Sequence, residues 1–82
     1  MQRVYHQCHF CRGEVIEQRV TVDYRWGESL LVVIRNVPAG VCRVCGEQYF
    51  KSEVIKEMEA VAHSSEEAEH VLQVPVKALK VA

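Results

Sequence analysis

Two stretches of the chain show the hydrophobic periodicity of β-strands. Between residues 19 and 26 apolar and polar side chains alternate, and one face carries Val20, Val22, Tyr24 and Trp26. A period of two is typical of a strand with one buried face. The nearly continuous apolar run at residues 30–37 predicts a better-buried return strand. Gly27 favours a turn between the two strands. Pro38 is expected to end the second strand because it cannot donate a ladder hydrogen bond.

The second half of the chain changes to helical periodicity. Over residues 52–70 apolar side chains recur mostly three or four positions apart, which predicts one amphipathic helix carrying Val54, Ile55, Met58, Val61, Ala62 and Ala68. Ser52 is the expected N-cap, followed by Glu53 near the positive end of the helix dipole. Ser64 and Ser65 are weak helix formers, at which the helix could break.

The remaining residues, 71–82, form an apolar and basic tail. Leu72, Val74 and Val76 alternate with other residues, and Pro75 restricts the segment to an edge strand or an extended arm. We expect this tail to contact a partner or a second copy of the chain, because exposed apolar segments are a liability unless something covers them. A homodimer through the helix and tail is therefore predicted.

Together these patterns predict an α+β fold. We expect a four-cysteine, zinc-ribbon-like β domain with a hairpin or three-stranded sheet at residues 1–51, an amphipathic helix at 52–70 and an extended tail at 71–82. A chain of 82 residues has a small core and usually needs an additional staple, such as a metal ion.

Four cysteines are the candidate residues for such a stabilising cross-link. They form two C-x-x-C pairs, Cys8 with Cys11 and Cys42 with Cys45, separated by thirty residues that hold the predicted hairpin. A hairpin returns the chain to its starting end, so the pairs can meet. Two such pairs provide the four thiolates that a structural Zn²⁺ ion takes in a tetrahedron. Gly13 and Gly46 follow the pairs closely and leave room for backbone N–H groups to approach the sulfurs.

Other uses of the cysteines fit less well. Disulfides need an oxidising compartment, whereas the N-terminal residues contain no apolar run typical of a signal peptide, so a cytoplasmic location is expected. A thioredoxin-like redox pair needs a βαβ setting. Catalytic zinc needs an open coordination position. No nucleophile–base arrangement is evident either, and we therefore expect no enzyme and no membrane span. The histidines, His6, His9, His63 and His70, are expected at the surface without a ligand role.

The two cysteine motifs are part of a longer stretch of sequence that resembles a known family. Residues 8–13 (CHFCRG), the hairpin at 20–42 and residues 42–50 (CRVCGEQYF) resemble the YgiT-type (MqsA-like) zinc-finger family. VPAGVC followed by CGEQY is its most specific part, because generic zinc ribbons lack the proline-containing lead-in and the trailing Glu-Gln-Tyr. The resemblance covers about residues 7–70.

The resemblance implies a function. Such zinc domains occur in antitoxins of type II toxin–antitoxin systems, where they bind a ribonuclease toxin. Longer members add a helix-turn-helix domain that binds operator DNA, and residues 51–82 are too few to hold one. We therefore expect a short antitoxin-like protein that neutralises a small cognate toxin and does not by itself bind DNA sequence-specifically. The acidic residues from Glu53 to Glu69 suit a basic partner, or they form a solvated surface.

A nucleic-acid-binding zinc ribbon is the alternative. Its candidate contacts are Arg12, Arg19, Arg25, Arg35 and Arg43, with Tyr24 and Trp26 as stacking surfaces. Acidic residues are interspersed among these arginines, and the whole chain has a formal net charge of -1. Because phosphate binding depends on uncompensated cations, this alternative is weaker. A redox or metal-storage protein is a third, weaker interpretation.

Overall fold

The computed structural model describes residues 3–81 and places a small sheet against one helix. Its elements are β1 (Val15–Trp26), β2 (Leu30–Cys42), β3 (Gln48–Tyr49) and α1 (Ser52–Ala62). The strands form an antiparallel sheet of order β1-β2-β3, so the predicted α+β class with a three-stranded sheet is confirmed. Within the described residues, no helix is long and apolar enough to cross a membrane.

The hairpin of β1 and β2 is the largest element. Its strands are joined by residues 27–29, where Gly27 has a φ of 62°, a left-handed conformation that glycine adopts without steric cost. Tyr24 pairs with Val32, and Val22 pairs with Ile34, on the face that packs against the core. The alternation in β1 therefore predicted the buried face correctly.

Both strands extend further than the sequence predicted. β1 begins at Val15 rather than at residue 19, and β2 continues through Pro38 to Cys42. The expectation that Pro38 ends β2 was wrong. Pro38 pairs with Arg19 on one side, while β3 pairs with β2 only at Gly40 and Val41. At Pro38 the strand therefore has a single neighbour, and a missing N–H is tolerated there.

A β-bulge precedes Pro38 in β2. Val20 pairs with Val37 and Val22 pairs with Ile34, so two residues of β2 lie opposite Thr21. One of these two, Asn36, has a φ of 60°, which asparagine tolerates better than most residues. A bulge of this kind increases the local twist. The longer, twisted hairpin carries both cysteine pairs at its open end.

The core lies between the inner face of the hairpin and α1. One stripe of the helix is buried, at Val54, Met58 and Ala62, and it packs against Ile34 and Val37 of β2. These helical positions are four residues apart and therefore share a face. The other apolar positions of the predicted stripe are exposed, with Ile55 46% and Val61 58% accessible.

Helix α1 is shorter than the predicted helix of residues 52–70. It ends at Ala62, and His63 forms its C-cap. Ser64 donates its backbone N–H to Val61 O, and its hydroxyl accepts a hydrogen bond from the N–H of Glu66. Serine competes in this way with helical bonding, so the helix stops where the two serines begin. Ser52 is not the N-cap either: Lys51 occupies that position, without a side-chain capping bond.

The tail takes neither helix nor strand conformation over residues 71–81, and Ala82 lies outside the described residues, as do Met1 and Gln2 of the predicted β domain. An edge strand in this segment is therefore not formed. Every described residue of the tail is exposed. The accessible fraction reaches 86% at Val71, 94% at Val76 and 87% at Leu79.

Candidate metal centre

The two cysteine pairs lie in loops of the same local structure. In the first, Cys8 N–H donates to Gly13 O and Cys8 O accepts from Arg12 N–H. In the second, Cys42 N–H donates to Glu47 O and Cys42 O accepts from Gly46 N–H. Each loop thus repeats the same backbone bonds over six residues, and we call residues 8–13 and 42–47 the first and second knuckle.

Each knuckle turns through a residue in the left-handed region. In the second knuckle this is Gly46, with a φ of 80°, and at the equivalent position of the first it is Arg12, with a φ of 62°. Gly13 serves another purpose, because a Cβ there would come within 2.8 Å of Val44 Cγ2 and 2.9 Å of Cys42 Sγ. The two glycines noted in the sequence are therefore not equivalent: one permits the turn, and the other permits close packing of the knuckles.

The hairpin brings the knuckles together. Val15, just after the first knuckle, pairs with Cys42, which begins the second. Arg43 adds a backbone hydrogen bond to Glu14 O at 2.9 Å and a side-chain ion pair with the same residue, also at 2.9 Å. The ladder between β1 and β2 thus continues into the metal-binding loops and fixes their separation.

All four predicted ligands meet at one point. The sulfur atoms of Cys8, Cys11, Cys42 and Cys45 lie within 4.8 Å of one another. Two of the separations are 3.5 Å, between Cys8 and Cys45, and 3.4 Å, between Cys11 and Cys42. A tetrahedral zinc thiolate site with Zn–S bonds of about 2.3 Å has sulfur atoms about 3.8 Å apart. The observed spacing therefore fits a single tetrahedral ion.

Backbone N–H groups surround the sulfurs. Gly13 N–H donates to Cys11 Sγ at 3.4 Å, and the N–H groups of Val44 and Cys45 donate to Cys42 Sγ at 3.4 and 3.5 Å. Such donors stabilise thiolate over thiol, because they place partial positive charge beside the sulfur. The knuckles therefore supply an environment for charged sulfur, as a structural metal site requires.

Tyr49 adds a side-chain hydrogen bond to this shell. Its hydroxyl donates to Cys8 Sγ at 3.4 Å and accepts the backbone N–H of His9 at 3.0 Å. The rings of His9 and Tyr49 also pack edge to face, with centroids 5.8 Å apart. Tyr49 lies in β3, opposite Gly40. The short third strand thus holds a phenol against the first cysteine.

The thiols differ in acidity according to their place in the knuckle. The Tyr49 hydroxyl, helped by backbone N–H groups, lowers the pKa of Cys8 from 9.0 to about 6. The N–H of Cys45 is the main cause of the lowered pKa of Cys42. Glu47 N–H lowers the pKa of Cys45, but hydrogen bonding to Cys8 and local desolvation of the sulfur outweigh it and raise that pKa to about 12. Gly13 N–H likewise lowers the pKa of Cys11, but hydrogen bonding to Cys42 and local desolvation raise it overall.

The solvent accessibility of the four cysteines divides them in the same way as their pKa shifts. Cys8 and Cys42, the first cysteines of their knuckles, are 1% and 2% accessible, whereas Cys11 and Cys45 are exposed. The lowered pKa values thus belong to the two buried sulfurs and the raised pKa values to the two outer ones, which hold their protons more tightly. A divalent cation displaces those protons and neutralises the buried charge.

No histidine lies in the cysteine cluster of the described residues. In residues 3–81 the four cysteines are the one group of three or more His, Cys, Asp or Glu side chains close enough together to hold an ion. His63 instead packs edge to face on Tyr24 and Trp26, with centroids 6.2 and 5.8 Å away. His6 and His70 are exposed.

Sequence reasoning missed the role of Tyr49. Its motif was noted as part of the family resemblance, but no contact was assigned to the phenol. Its position is the one feature of the sequence that hints at a contact with the site. Tyr49 is the first aromatic residue after Cys45 and lies where the chain leaves the second knuckle. The contact itself depends on the pairing of β3 with β2, which two residues are too short to reveal by periodicity.

The comparisons with known proteins add no relative: no family model, curated protein or solved structure matches this chain. The arrangement of the four cysteines therefore carries the functional interpretation by itself.

Proposed function

We propose that the chain is a zinc-binding, non-enzymatic, antitoxin-like protein that binds and neutralises a small cognate ribonuclease-type toxin. The convergence of four cysteine sulfurs within 4.8 Å carries the zinc-binding part of the proposal, and the toxin-binding part rests on the sequence resemblance to the YgiT-type family. Four thiolates complete the zinc coordination shell and leave no position for a substrate or an attacking water. A closed site supports a structural ion that holds a binding surface in shape, in a reducing compartment such as the cytoplasm.

The proposed toxin-binding surface is the tail at residues 71–81. Six of its apolar side chains are at least half accessible, namely Val71, Leu72, Val74, Val76, Leu79 and Val81. An extended segment with free backbone groups can add a strand to the sheet of a partner. Apolar side chains on one side of that strand then supply the buried contact area.

The tail itself carries Lys77 and Lys80, but charge on the segment that precedes it favours a basic partner. Glu53 and Glu69 are used within the chain, in ion pairs with Arg3 and Arg35. The other glutamates of this region, Glu57, Glu59, Glu66 and Glu67, are exposed and take part in none of the ion pairs between described residues. Uncompensated acidic side chains accelerate encounter with a basic protein, and a ribonuclease-type toxin must itself attract RNA phosphates.

The arginine-based alternative loses support from the same ion pairs. Two of the five candidate arginines, Arg35 and Arg43, each contact a glutamate of the chain. These contacts neutralise part of the candidate phosphate-binding surface, and counterion release depends on net cationic charge. Direct nucleic-acid binding is therefore the second candidate, with exposed Trp26, which is 60% accessible, as its best stacking surface.

The test is co-expression with the product of the neighbouring gene, because antitoxins of this type are encoded beside their toxins. We expect the zinc-loaded chain to co-purify with that product and to suppress its ribonuclease activity. Truncation after His70 should abolish co-purification while zinc content stays at one ion per chain. Cys42→Ser should abolish both, because it opens the coordination shell.

Two results would contradict the proposal. One is a truncated chain that still inhibits the toxin, which would exclude the tail as the binding surface. The other is nanomolar, sequence-selective binding of promoter DNA by the isolated chain, which would favour the nucleic-acid alternative. Weak, salt-sensitive DNA binding would count for neither, since any arginine-bearing surface shows it.

A further inference from the structure

The outer edge of β1 is long and unpaired. β1 spans Val15–Trp26 and pairs with β2 alone. Among residues 3–81, no backbone hydrogen bond found outside the helix and strands involves residues 15–26. Such an edge is a template for another strand. The two residues of β2 opposite Thr21 carry the bulge, so β1 itself runs without an inserted residue.

A second copy of β1 can pair with this edge only in certain registers. In an antiparallel ladder, residues directly opposite each other either exchange both backbone bonds or exchange none. Every second residue of β1 directs its backbone N–H and C=O toward β2, and the residues between direct theirs toward the free edge. Two residues that face each other across a two-fold axis must both be of the same kind, so their numbers are both odd or both even. Every allowed register therefore has one residue of β1 facing its own copy.

The register centred on Thr21 matches every charge. It places Arg19 opposite Asp23 of the second copy and Glu17 opposite Arg25 of the second copy, and two-fold symmetry repeats each pair. Thr21 faces Thr21 on the axis. Opposite charges and paired threonines both stabilise directly opposed positions in a sheet. Eleven residues overlap in this register, from Ile16 to Trp26.

The neighbouring registers each create a repulsive pair. Centring on Val20 sets Glu17 against Asp23, and centring on Val22 sets Arg19 against Arg25. Centring on Arg19 or Asp23 opposes that residue to itself. Like charges directly opposite are destabilising, so among the registers that overlap at least nine residues of β1 the order of charges selects one. Edge strands that merely prevent aggregation commonly use lysine or inward-pointing charges. In β1, by contrast, an antiparallel second copy presents the opposite charge at each charged position.

The other face of β1 supports the same register. Val20 lies opposite Val22 of the second copy, Gln18 opposite Tyr24, and Ile16 opposite Trp26. Ile16 and Trp26 are 37% and 60% accessible in the single chain. Pairing of aromatic with β-branched side chains is favourable, and this register brings those two exposed side chains together at each end.

Three of the four charged residues of β1 are free to pair. The ion pairs between described residues use arginines 3, 35 and 43, and none uses Arg19, Asp23 or Arg25. Glu17 is already paired with Arg3 at 3.5 Å, it accepts a hydrogen bond from the hydroxyl of Tyr5, and its side chain is only 7% accessible. The two Arg19–Asp23 pairs therefore carry the electrostatic selection.

We propose that a second copy of this chain binds along β1, in the register that sets Thr21 against Thr21, and forms a continuous six-stranded antiparallel sheet. This dimer uses β1 rather than the helix and tail, and it does not depend on the antitoxin function. The two candidate metal centres lie at opposite ends of the joint sheet, because β1 of each copy starts beside the hairpin turn of the other.

A charge swap tests the register in the zinc-loaded chain. Arg19→Glu, or Asp23→Arg, creates two like-charge pairs per dimer and should raise the dimer dissociation constant by about tenfold or more. The double variant R19E/D23R restores opposite charges in the same positions and should recover the wild-type constant. Sedimentation equilibrium provides the measurement. Lys56→Glu is the matched control, since Lys56 is exposed on α1, takes part in none of the ion pairs between described residues and should leave the constant unchanged.

Cysteine cross-linking tests the geometry independently. Directly opposed residues have Cα atoms about 4.5–5.5 Å apart, within the range of a disulfide. Thr21→Cys should therefore form a cross-linked dimer under mild oxidation. Arg19→Cys alone should not, because its two copies lie four residues, or about 13 Å, apart along the strands. A mixture of R19C and D23C chains should cross-link between unlike chains.

Three outcomes would overturn the proposal. They are a wild-type chain that stays monomeric at every concentration, single charge reversals that leave dimerisation unchanged, and a double variant as weak as the single ones. The truncation after His70 separates this inference from the proposed function. It should remove toxin binding and leave the β1 dimer intact, and a monomeric truncated chain would place the dimer contact on the tail.

Discussion

The Tyr49 hydroxyl donates a hydrogen bond to Cys8 Sγ across 3.4 Å, so a residue of the short third strand stabilises the first ligand of the candidate metal centre. The same hydroxyl accepts the N–H of His9, which fixes the orientation of the O–H group. Partners of metal ligands commonly determine affinity as well as orientation.

Tyr49→Phe should therefore weaken zinc binding by about 10-fold or more. The ring can still pack on His9, so the fold of the zinc-loaded chain should persist in circular dichroism spectra. Competition with a chromophoric chelator measures the affinity. Tyr5→Phe is the control, because the Tyr5 hydroxyl donates to Glu17 rather than to sulfur; equal losses in both variants would contradict a specific role for Tyr49.

Acid should release the metal in a defined direction. The pKa of Cys8 is lowered from 9.0 to about 6, so the stability that its thiolate contributes is present above the unfolded-state pKa and is lost as pH falls through about 6. Bound metal requires thiolates and competes with protons. Zinc retention should therefore decrease as pH falls, and Tyr49→Phe, which removes the hydrogen bond that lowers the pKa of Cys8, should shift release to higher pH. Metal analysis after dialysis across a pH series provides the measurement, and identical release curves would refute the assignment.

Two valines of α1 provide a matched pair for the packing of the helix. Val54 is 1% accessible and Val61 is 58% accessible. Val54→Ala should destabilise the zinc-loaded chain by about 2 kcal/mol, because it removes buried methyl groups and leaves a cavity. Val61→Ala should change the free energy of unfolding by about 0.5 kcal/mol or less. Urea denaturation of both variants distinguishes the two faces, and similar values would mean that α1 packs differently.

The two knuckles predict opposite responses to a change at equivalent positions. Gly46 has a φ of 80°, so Gly46→Ala should destabilise the second knuckle by about 1–2 kcal/mol. Arg12 has a φ of 62°, and Arg12→Gly should be neutral or stabilise the first knuckle by up to about 1 kcal/mol, since it relieves the same strain. Thermal denaturation of the zinc-loaded variants measures both effects. Destabilisation by both substitutions would show that the Arg12 side chain has a role beyond the turn.

The parts of the fold that the sequence predicted depend on short, regular patterns. Alternation from Val20 to Tyr24 identified the inner face of β1, and the spacing of the two C-x-x-C pairs identified the four sulfurs that meet. The alternation recurs within a few residues, and each C-x-x-C pair is itself a motif of four residues. The buried stripe at Val54 and Met58 also followed from helical spacing.

The errors arose where one residue was judged without its neighbours. Pro38 ends a strand only if its missing N–H leaves a partner unsatisfied, and the limited extent of β3 removes that partner. The helix ended at Ala62 because Ser64 bonds locally, which competes with an apolar pattern that continues to Ala68. The contact of Tyr49 cannot be read from its own segment, because its position depends on the pairing of β3 with β2.

The turn at Gly27 and the cysteines occupy opposite ends of the hairpin, which has a consequence for the order of folding. A ladder that closes from the turn forms its local pairs first, at little cost in loop entropy. The pair of Val15 with Cys42 is the last of that ladder, so the two halves of the ion's shell become neighbours only when the sheet is nearly complete. Metal binding is then a late step of folding. It adds little to the folding rate and chiefly lowers the unfolding rate.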